Sequence, residues 1–161
     1  MAGLFLGSEI CDMAIETEKK GAAFYRVAAS QAQTPQVKEF CTRMAEAEAE
    51  HEVTFTAMLK PLANYTPPES YPGEYLNYVN ALLDRDVMPG EEQGRRLARE
   101  AKSEVEAIDF ALQFEKSTVL FLYEMKNFVP EADLKVVNDL INEERSHVTQ
   151  LTQLRKEVCK G

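Results

Sequence analysis

The chain has 161 residues, of which 45% are hydrophobic and 28% charged, and this composition is typical of a single soluble globular domain over residues 1–161. Its net charge of −9 argues against a nucleic-acid partner, because an acidic surface repels phosphate groups. No hydrophobic run is long enough to cross a bilayer, and the N-terminus lacks the basic and apolar regions of a secretory signal. These features predict a cytoplasmic protein with no membrane association.

Four long helices are predicted, and no segment has the alternating pattern of a strand. Helical periodicity covers residues 4–32, 35–60, 103–128 and 131–158. Thr34 and Pro35 suit the N-cap and first position of the second helix, and Ser103 with Glu106 forms a capping box for the third. Residues 62–102 form a long crossover with two shorter helical patterns. Short links join the first helix to the second and the third to the fourth. The sequence therefore predicts an all-α four-helix bundle with one long crossover between helices 2 and 3.

Two Glu-x-x-His motifs interrupt the apolar faces of the second and fourth predicted helices. On the second helix, the inward positions are Val37, Cys41, Met44, Glu48, His51, Phe55 and Met58. On the fourth helix, they are Val137, Leu140, Glu144, His147, Leu151 and Leu154. The chain contains two histidines, and each follows an inward glutamate by three residues. Glu46, Glu50 and Glu52 fall off this face and are expected at the surface.

The first and third predicted helices each carry one inward carboxylate. Glu18 shares a face with Cys11, Ala14, Ala22 and Tyr25. Glu115 shares one with Val105, Ile108, Leu112, Val119 and Leu122. The spacing from Glu18 to Glu48 is nearly the same as that from Glu115 to Glu144. The sequence therefore has the pattern of two helical hairpins, each with a glutamate followed by Glu-x-x-His.

Four inward carboxylates need a neutralising partner, because burying an unpaired carboxylate costs several kcal/mol. Protonation, basic side chains or metal ions can provide it, and no lysine or arginine occupies the inward positions. Two divalent cations balance four carboxylates while both histidines stay neutral. Carboxylate and imidazole ligands suit iron or manganese, and zinc also binds them. A vestigial site with protonated carboxylates is the alternative.

Four segments carry a family resemblance: AIETEKKGAAFY, AEAEAEHEVTF, AIDFALQFEKSTVLFLYEM and INEERSHVTQL. With them the sequence resembles the rubrerythrin branch of the ferritin-like superfamily over most of its length. The resemblance implies a ferritin-like bundle that binds two iron ions, with ligands Glu18, Glu48, His51, Glu115, Glu144 and His147. It also implies that Glu48 and Glu144 bridge the metals, that Glu18 and Glu115 are terminal ligands, and that each histidine binds one metal.

The same resemblance implies a di-iron oxidoreductase that reduces peroxide or dioxygen, and we expect a homodimer. The chain ends soon after the fourth helix without the rubredoxin domain of rubrerythrins proper, so the expected electron donor is a separate, rubredoxin-type protein. Thr118 stands where rubrerythrins carry a further glutamate, which makes the six-ligand set more similar to that of ferritins. A ferroxidase or iron-handling protein and a non-catalytic, metal-stabilised binding module are the alternatives.

Further residues lie close to the expected ligands. Tyr25 shares the face of Glu18 and is expected either to hydrogen-bond a ligand or to fill the core. Glu143 is one position off the inward face and is expected at the surface. It would replace Glu144 as a ligand only if the helical register differed by one residue. The three cysteines, Cys11, Cys41 and Cys159, include no Cys-x-x-Cys pair, which argues against a disulfide framework, a zinc ribbon or a rubredoxin-type site.

Overall fold

Every regular element in the computed structural model, which describes residues 7–62, 65, 73–83 and 90–160, is helical. The helices are α1 (Gly7–Gln31), α2 (Pro35–Leu62), α3 (Gly73–Leu82), α4 (Gly90–Glu100), α5 (Glu104–Met125) and α6 (Leu134–Val158). α1 packs against α2 and α5 against α6, while α4 lies along α1. The all-α bundle with two hairpins is thus confirmed; the predicted start of the first helix at residue 4 lies outside the described residues. None of the described helices is both long and apolar enough to cross a membrane.

The start of α5 follows its predicted capping signal with one difference. Ser103 is the N-cap, and its hydroxyl accepts a hydrogen bond from the amide of Glu106 at 3.1 Å. The Glu106 carboxylate accepts from the amide of Lys102 instead of that of Ser103. α5 ends at Met125, before the predicted residue 128, and a short 3-10 turn at Glu131–Asp133 precedes α6. The two helices are therefore joined by a slightly longer link than predicted.

Glu104 connects the two hairpins at one end of the bundle. Its carboxylate accepts the backbone amides of Gln33 and Thr34 at 2.7 and 2.8 Å, and the Thr34 hydroxyl at 2.6 Å. Partial burial would raise the pKa of Glu104, but these hydrogen bonds outweigh that effect and lower the pKa. Because Gln33 and Thr34 form the α1–α2 link, the contact fixes the first hairpin against the start of α5.

The inward faces of α2 and α6 match the predicted positions, all of which are buried. The face of α5 is shifted around the helix. Ala111 and Thr118 are buried, and Leu112 and Val119 are only half-buried. The predicted and the observed inward positions of α5 both follow steps of three and four residues through Glu115, so helical periodicity alone does not distinguish them. The consequence is that Thr118 lies on the buried side of α5.

Two apolar clusters fill the bundle, and Cys11 belongs to one while Cys41 belongs to the other. All three cysteines are free thiols. Burial, with a smaller contribution from nearby carboxylates, raises the pKa of Cys11 and of Cys41 to about 12. Both thiols therefore stay protonated at neutral pH and act as small apolar core residues.

Glycines allow α4 to approach α1 closely. A Cβ atom at Gly94 would lie 2.1 Å from the carbonyl oxygen of Lys20, and one at Gly90 would lie 2.3 Å from that of Glu16. The amide of Gly90 also donates to the Glu16 carboxylate at 3.0 Å. Since backbone atoms cannot move aside as a flexible side chain can, α4 keeps this position only with glycine at these contacts.

We expect Gly94→Ala to lower the free energy of unfolding by about 1–3 kcal/mol or more, because α4 must move away from α1. Urea denaturation of the metal-free protein measures the change. Arg95→Ala is the matched control, since Arg95 is an exposed neighbour on the same helix and its ion pair with Glu91 is worth little. A loss for Gly94→Ala no larger than that for Arg95→Ala would contradict the close packing.

Candidate metal centre

The six predicted ligands converge inside the bundle, between the two apolar clusters. α1 contributes Glu18 and α5 contributes Glu115; α2 contributes Glu48 with His51, and α6 contributes Glu144 with His147. The exposed fraction of the four glutamates is at most 1%, and that of the histidines is 3% and 9%. The three-residue spacing places each Glu-x-x-His pair on one face of its helix. All six side chains that the sequence predicts to point inward therefore lie close together.

The potential ligand atoms form two overlapping groups. One group is Glu18, Glu48, His51 and Glu144, and the other is Glu48, Glu115, Glu144 and His147. Within each group the atoms lie within 4.8 Å of one another. The two imidazole rings, one from each group, stack with centroids 5.9 Å apart and an angle of 23°. The arrangement provides two adjacent cation positions that share Glu48 and Glu144.

His51 is held between an inner and an outer carboxylate. Its Nδ1 lies 2.9 Å from Glu144 Oε1 and 3.5 Å from Glu18 Oε2. Its Nε2 lies 2.8 Å from Glu143 Oε2. The side chain of Glu143 is 59% exposed, as a surface position should be, yet it reaches back to the imidazole. The sequence pattern predicted only a surface position for Glu143, and its location directly before Glu144 is the feature that could have indicated this contact.

Tyr25 supports a different carboxylate. Its hydroxyl donates a hydrogen bond to Glu115 Oε1, and the residue has no exposed surface. Burial, reinforced by the nearby charge of Glu115, raises the pKa of Tyr25 well above its usual value. The hydroxyl therefore remains a donor at neutral pH. Tyr25 fills the core and also orients a predicted ligand.

Comparison with known proteins identifies the family. The Rubrerythrin family model matches residues 9–155. The chain belongs to the rubrerythrin family. A crystal structure described as a ferritin-like diiron-carboxylate protein from Thermotoga maritima has a TM-score of 0.69 and 22% identity, with 98% of this chain and 99% of that chain covered. A hypothetical protein from Pyrococcus furiosus has a TM-score of 0.69 and 19% identity, with 97% and 92% covered. These two structures support the ferritin-like fold; no curated protein matches the chain.

Rubrerythrin-family membership implies a di-iron site, and the polar atoms of the cluster fit one. Six buried side-chain atoms make no hydrogen bond of acceptable geometry among the described residues, even though His51 Nδ1 lies 2.9 Å from Glu144 Oε1. They are Glu18 Oε2, Glu48 Oε1, Glu48 Oε2, His51 Nδ1, Glu115 Oε2 and Glu144 Oε1. Such atoms are rare in folded proteins, and each costs about 1–3 kcal/mol or more when charged. All six belong to the predicted ligands. Bound cations would supply the partners that the protein itself does not.

The pKa values of the predicted ligands reflect the concentration of carboxylates in the metal centre. Burial, followed by repulsion from neighbouring carboxylates, raises the pKa of Glu48 and of Glu115 well above the usual value. Burial would lower the pKa of His51, but contacts with Glu144 and Glu18 outweigh it and raise the pKa to about 11. Burial would raise the pKa of Glu144, but the hydrogen bond with His147 and the nearby imidazole of His51 outweigh it and lower the pKa. The raised pKa values of Glu48, Glu115 and His51 favour bound protons at these residues when no metal is present, and metal ions would displace those protons.

The contact between Glu143 and His51 predicts a measurable effect on metal affinity. Carboxylates that hold a ligating imidazole in place typically contribute a factor of about 10–100 to metal affinity. We expect Glu143→Ala to weaken binding of Mn(II) at one of the two positions by that factor, as measured by calorimetric titration. Glu50→Ala, which removes an exposed glutamate from α2, is the control. Equal affinities for Glu143→Ala and the unmodified protein would show that the contact has no role in metal binding.

Proposed function

We propose that this protein is a di-iron oxidoreductase that reduces peroxide or dioxygen with electrons from an external donor. The observation that carries the proposal is the pair of overlapping ligand groups, which share Glu48 and Glu144. Two divalent ions match four carboxylates in charge while both histidines remain neutral. Membership of the rubrerythrin family favours iron, although manganese or zinc could occupy the same ligands.

The proposal assigns roles to the six residues. Glu18 and His51 would hold one iron, Glu115 and His147 would hold the other, and Glu48 and Glu144 would bridge them. When bound, a ferrous pair can supply two electrons to an O–O bond. The ligands themselves contain no reductant, so the proposal includes an external electron donor such as a rubredoxin-type protein.

The surrounding residues prepare the site before any metal binds. Glu143 fixes the His51 ring so that Nδ1 faces the inner carboxylates. Tyr25 orients Glu115 through its hydroxyl. A Cβ at Gly21 would lie 3.0 Å from the Glu48 carboxyl carbon and 2.9 Å from a Phe114 ring carbon, so glycine allows α1 to pack closely against Glu48. The two apolar clusters exclude water above and below the ligands, which strengthens electrostatic interactions inside.

Rapid mixing tests the redox proposal. We expect the protein loaded anaerobically with Fe(II) to be oxidised by hydrogen peroxide faster than free Fe(II), as followed by stopped-flow absorbance. Glu48→Ala should abolish the acceleration because Glu48 belongs to both ligand groups. Glu50→Ala should retain it, since Glu50 is exposed on the same helix. Oxidation of the loaded protein no faster than that of free Fe(II) would refute the proposal and favour a non-catalytic, metal-stabilised module.

Thr118 favours a second candidate, a ferroxidase or iron-handling protein. Thr118 is buried one turn after Glu115 and donates to the Phe114 carbonyl at 3.1 Å, so this position adds no carboxylate to the six ligands. Aerobic addition of excess Fe(II) discriminates the two functions. Catalysed oxidation of many irons per chain would support the ferroxidase, whereas oxidation that stops at two irons until a reductant is added would support the peroxide or dioxygen reductase.

A further inference from the structure

The six predicted ligands differ in how close they lie to the surface of the bundle. The four glutamates are at most 1% exposed, whereas the side chains of His147 and His51 are 11% and 4% exposed. One histidine belongs to α6 and the other to α2, and their rings stack with centroids 5.9 Å apart. The side of the metal centre between α2 and α6 is therefore the part of it nearest to solvent.

In the other directions the described residues pack tightly around the ligands. α1 packs against α2 and α5 against α6, and an apolar cluster lies at each end of the ligand set along the bundle axis. Between α1 and α5, a Cβ at Gly21 would lie 2.9 Å from a Phe114 ring carbon and 3.0 Å from the Glu48 carboxyl carbon. Apolar or closely packed atoms thus face an ion that approaches from these directions.

The side between α2 and α6 has a different character. A surface groove of about 390 Å³ lies between these two helices and is lined by residues of both. Glu143 lies at the level of the metal centre, because it directly precedes Glu144 on α6. Its side chain is 59% exposed, so its carboxylate is accessible to ions in solution. This side therefore presents a charged, hydrated oxygen ligand close to the buried ones.

Glu143 and His51 connect the surface to the inner carboxylates. Glu143 Oε2 lies 2.8 Å from His51 Nε2, and His51 Nδ1 lies 2.9 Å from Glu144 Oε1. An ion that moves from water into a protein interior needs a new ligand for each water it loses, because burying an unpaired charge is very costly. The series from Glu143 through His51 to Glu144 supplies oxygen and nitrogen ligands at each stage.

We propose that divalent cations enter the metal centre between α2 and α6, and that Glu143 is the residue that captures them. Its negative charge attracts the ion, and its carboxylate replaces the first water molecules. Because the carboxylate then binds the ion, it releases His51 Nε2, and the imidazole ring is free to turn and admit the ion to Glu144. This inference rests on the cluster being a metal site, but it does not require the proposed redox reaction.

Stopped-flow mixing of the metal-free protein with Co(II), followed by the visible absorbance of the bound ion, tests the entry route. We expect Glu143→Gln to slow association by about tenfold and Glu143→Lys by about 100-fold, since charges at the rim of a site act mainly on the association rate. Both variants should still bind two ions at saturating Co(II). Added salt should slow association with the unmodified protein more than association with Glu143→Gln.

Glu50→Gln and Glu50→Lys are the matched controls, because Glu50 is exposed on α2 directly before His51 and the charge changes are the same. At physiological salt they should change the association rate by less than about twofold. Equal slowing by the Glu50 and Glu143 variants would mean that only the overall negative charge attracts the ion, and it would overturn the proposal.

Release of Co(II) into excess EDTA separates capture from the support that Glu143 gives to His51. A residue that only holds the imidazole in place changes the release rate and leaves the association rate unaltered. An effect of Glu143→Gln confined to release would therefore overturn the entry route while leaving the metal site intact. Failure of the unmodified protein to bind Co(II) would instead refute the metal centre itself, and this inference with it.

Discussion

In the metal-free protein at pH 7, Glu48→Gln is expected to raise the free energy of unfolding by about 1–4 kcal/mol. Glu48 is fully buried, and both of its carboxylate oxygens have no hydrogen-bond partner among the described residues. The amide of glutamine carries no charge and can donate to the neighbouring carboxylates of Glu18 and Glu144. The same substitution should remove most of the stabilisation that Fe(II) gives, because it removes a ligand from both groups. One substitution thus has effects of opposite sign with and without metal.

Urea denaturation with a chelator present, and anaerobically with Fe(II), measures both effects. Glu50→Gln is the matched control, and it should change the unfolding free energy by less than about 0.5 kcal/mol in both conditions because Glu50 is exposed. A metal-free Glu48→Gln protein that is less stable than the unmodified chain would mean that the Glu48 carboxylate has a stabilising partner within the protein. That result would contradict the interpretation of the cluster as a cation site.

The stabilisation that Fe(II) provides is expected to increase as the pH rises from 6.5 to 8.5. His51 has a pKa of about 11 in the folded metal-free protein and an ordinary value of 6.5. As the pH rises above 6.5, the unfolded chain loses a proton that the folded protein keeps on His51, so this residue alone lowers the stability of the metal-free protein by up to about 1.4 kcal/mol per pH unit. Metal binding displaces this proton, so the stability of the metal-loaded protein does not fall in this way as the pH rises.

The carboxylates do not reverse this sign. The raised pKa values of Glu48 and Glu115 also make the folded protein bind more protons than the unfolded chain, so their effect is a further loss with rising pH. The lowered pKa of Glu144 stabilises the folded state above its ordinary value of 4.5, and this contribution is constant from pH 6.5 upwards. Denaturation curves with and without Fe(II) at several pH values provide the measurement. A metal-induced stabilisation that shrinks with rising pH would be inconsistent with proton displacement.

Glu48, His51, Glu144 and His147 could be located from the sequence because each stands in a regular series of apolar positions. A polar residue on such a face must point into the core unless the helix is exposed all round, and the two motifs repeat the same interruption. All inward positions predicted for α2 and α6 are buried. The family resemblance then added what periodicity cannot provide, namely that the four helices bring their carboxylates to one level.

The contact of Glu143 with His51 and the burial of Thr118 could not be predicted from the sequence. Glu143 lies off the inward face, and its contact with His51 depends on how closely α2 and α6 approach, which a single helix does not encode. Thr118 is buried because α5 is rotated relative to the predicted face, and both rotations satisfy the same periodicity. The position of α4 on α1 rests on Gly90 and Gly94, whose role becomes apparent only when the partner backbone is known.

Anaerobic equilibrium titration with Fe(II) tests the central claim most directly, since it counts the metal ions that the six side chains bind. We predict two Fe(II) ions per chain for the unmodified protein and for Glu50→Ala, and loss of both for Glu48→Ala. Binding of one ion or none by the unmodified protein, or two ions by Glu48→Ala, would contradict a dinuclear site built on Glu18, Glu48, His51, Glu115, Glu144 and His147.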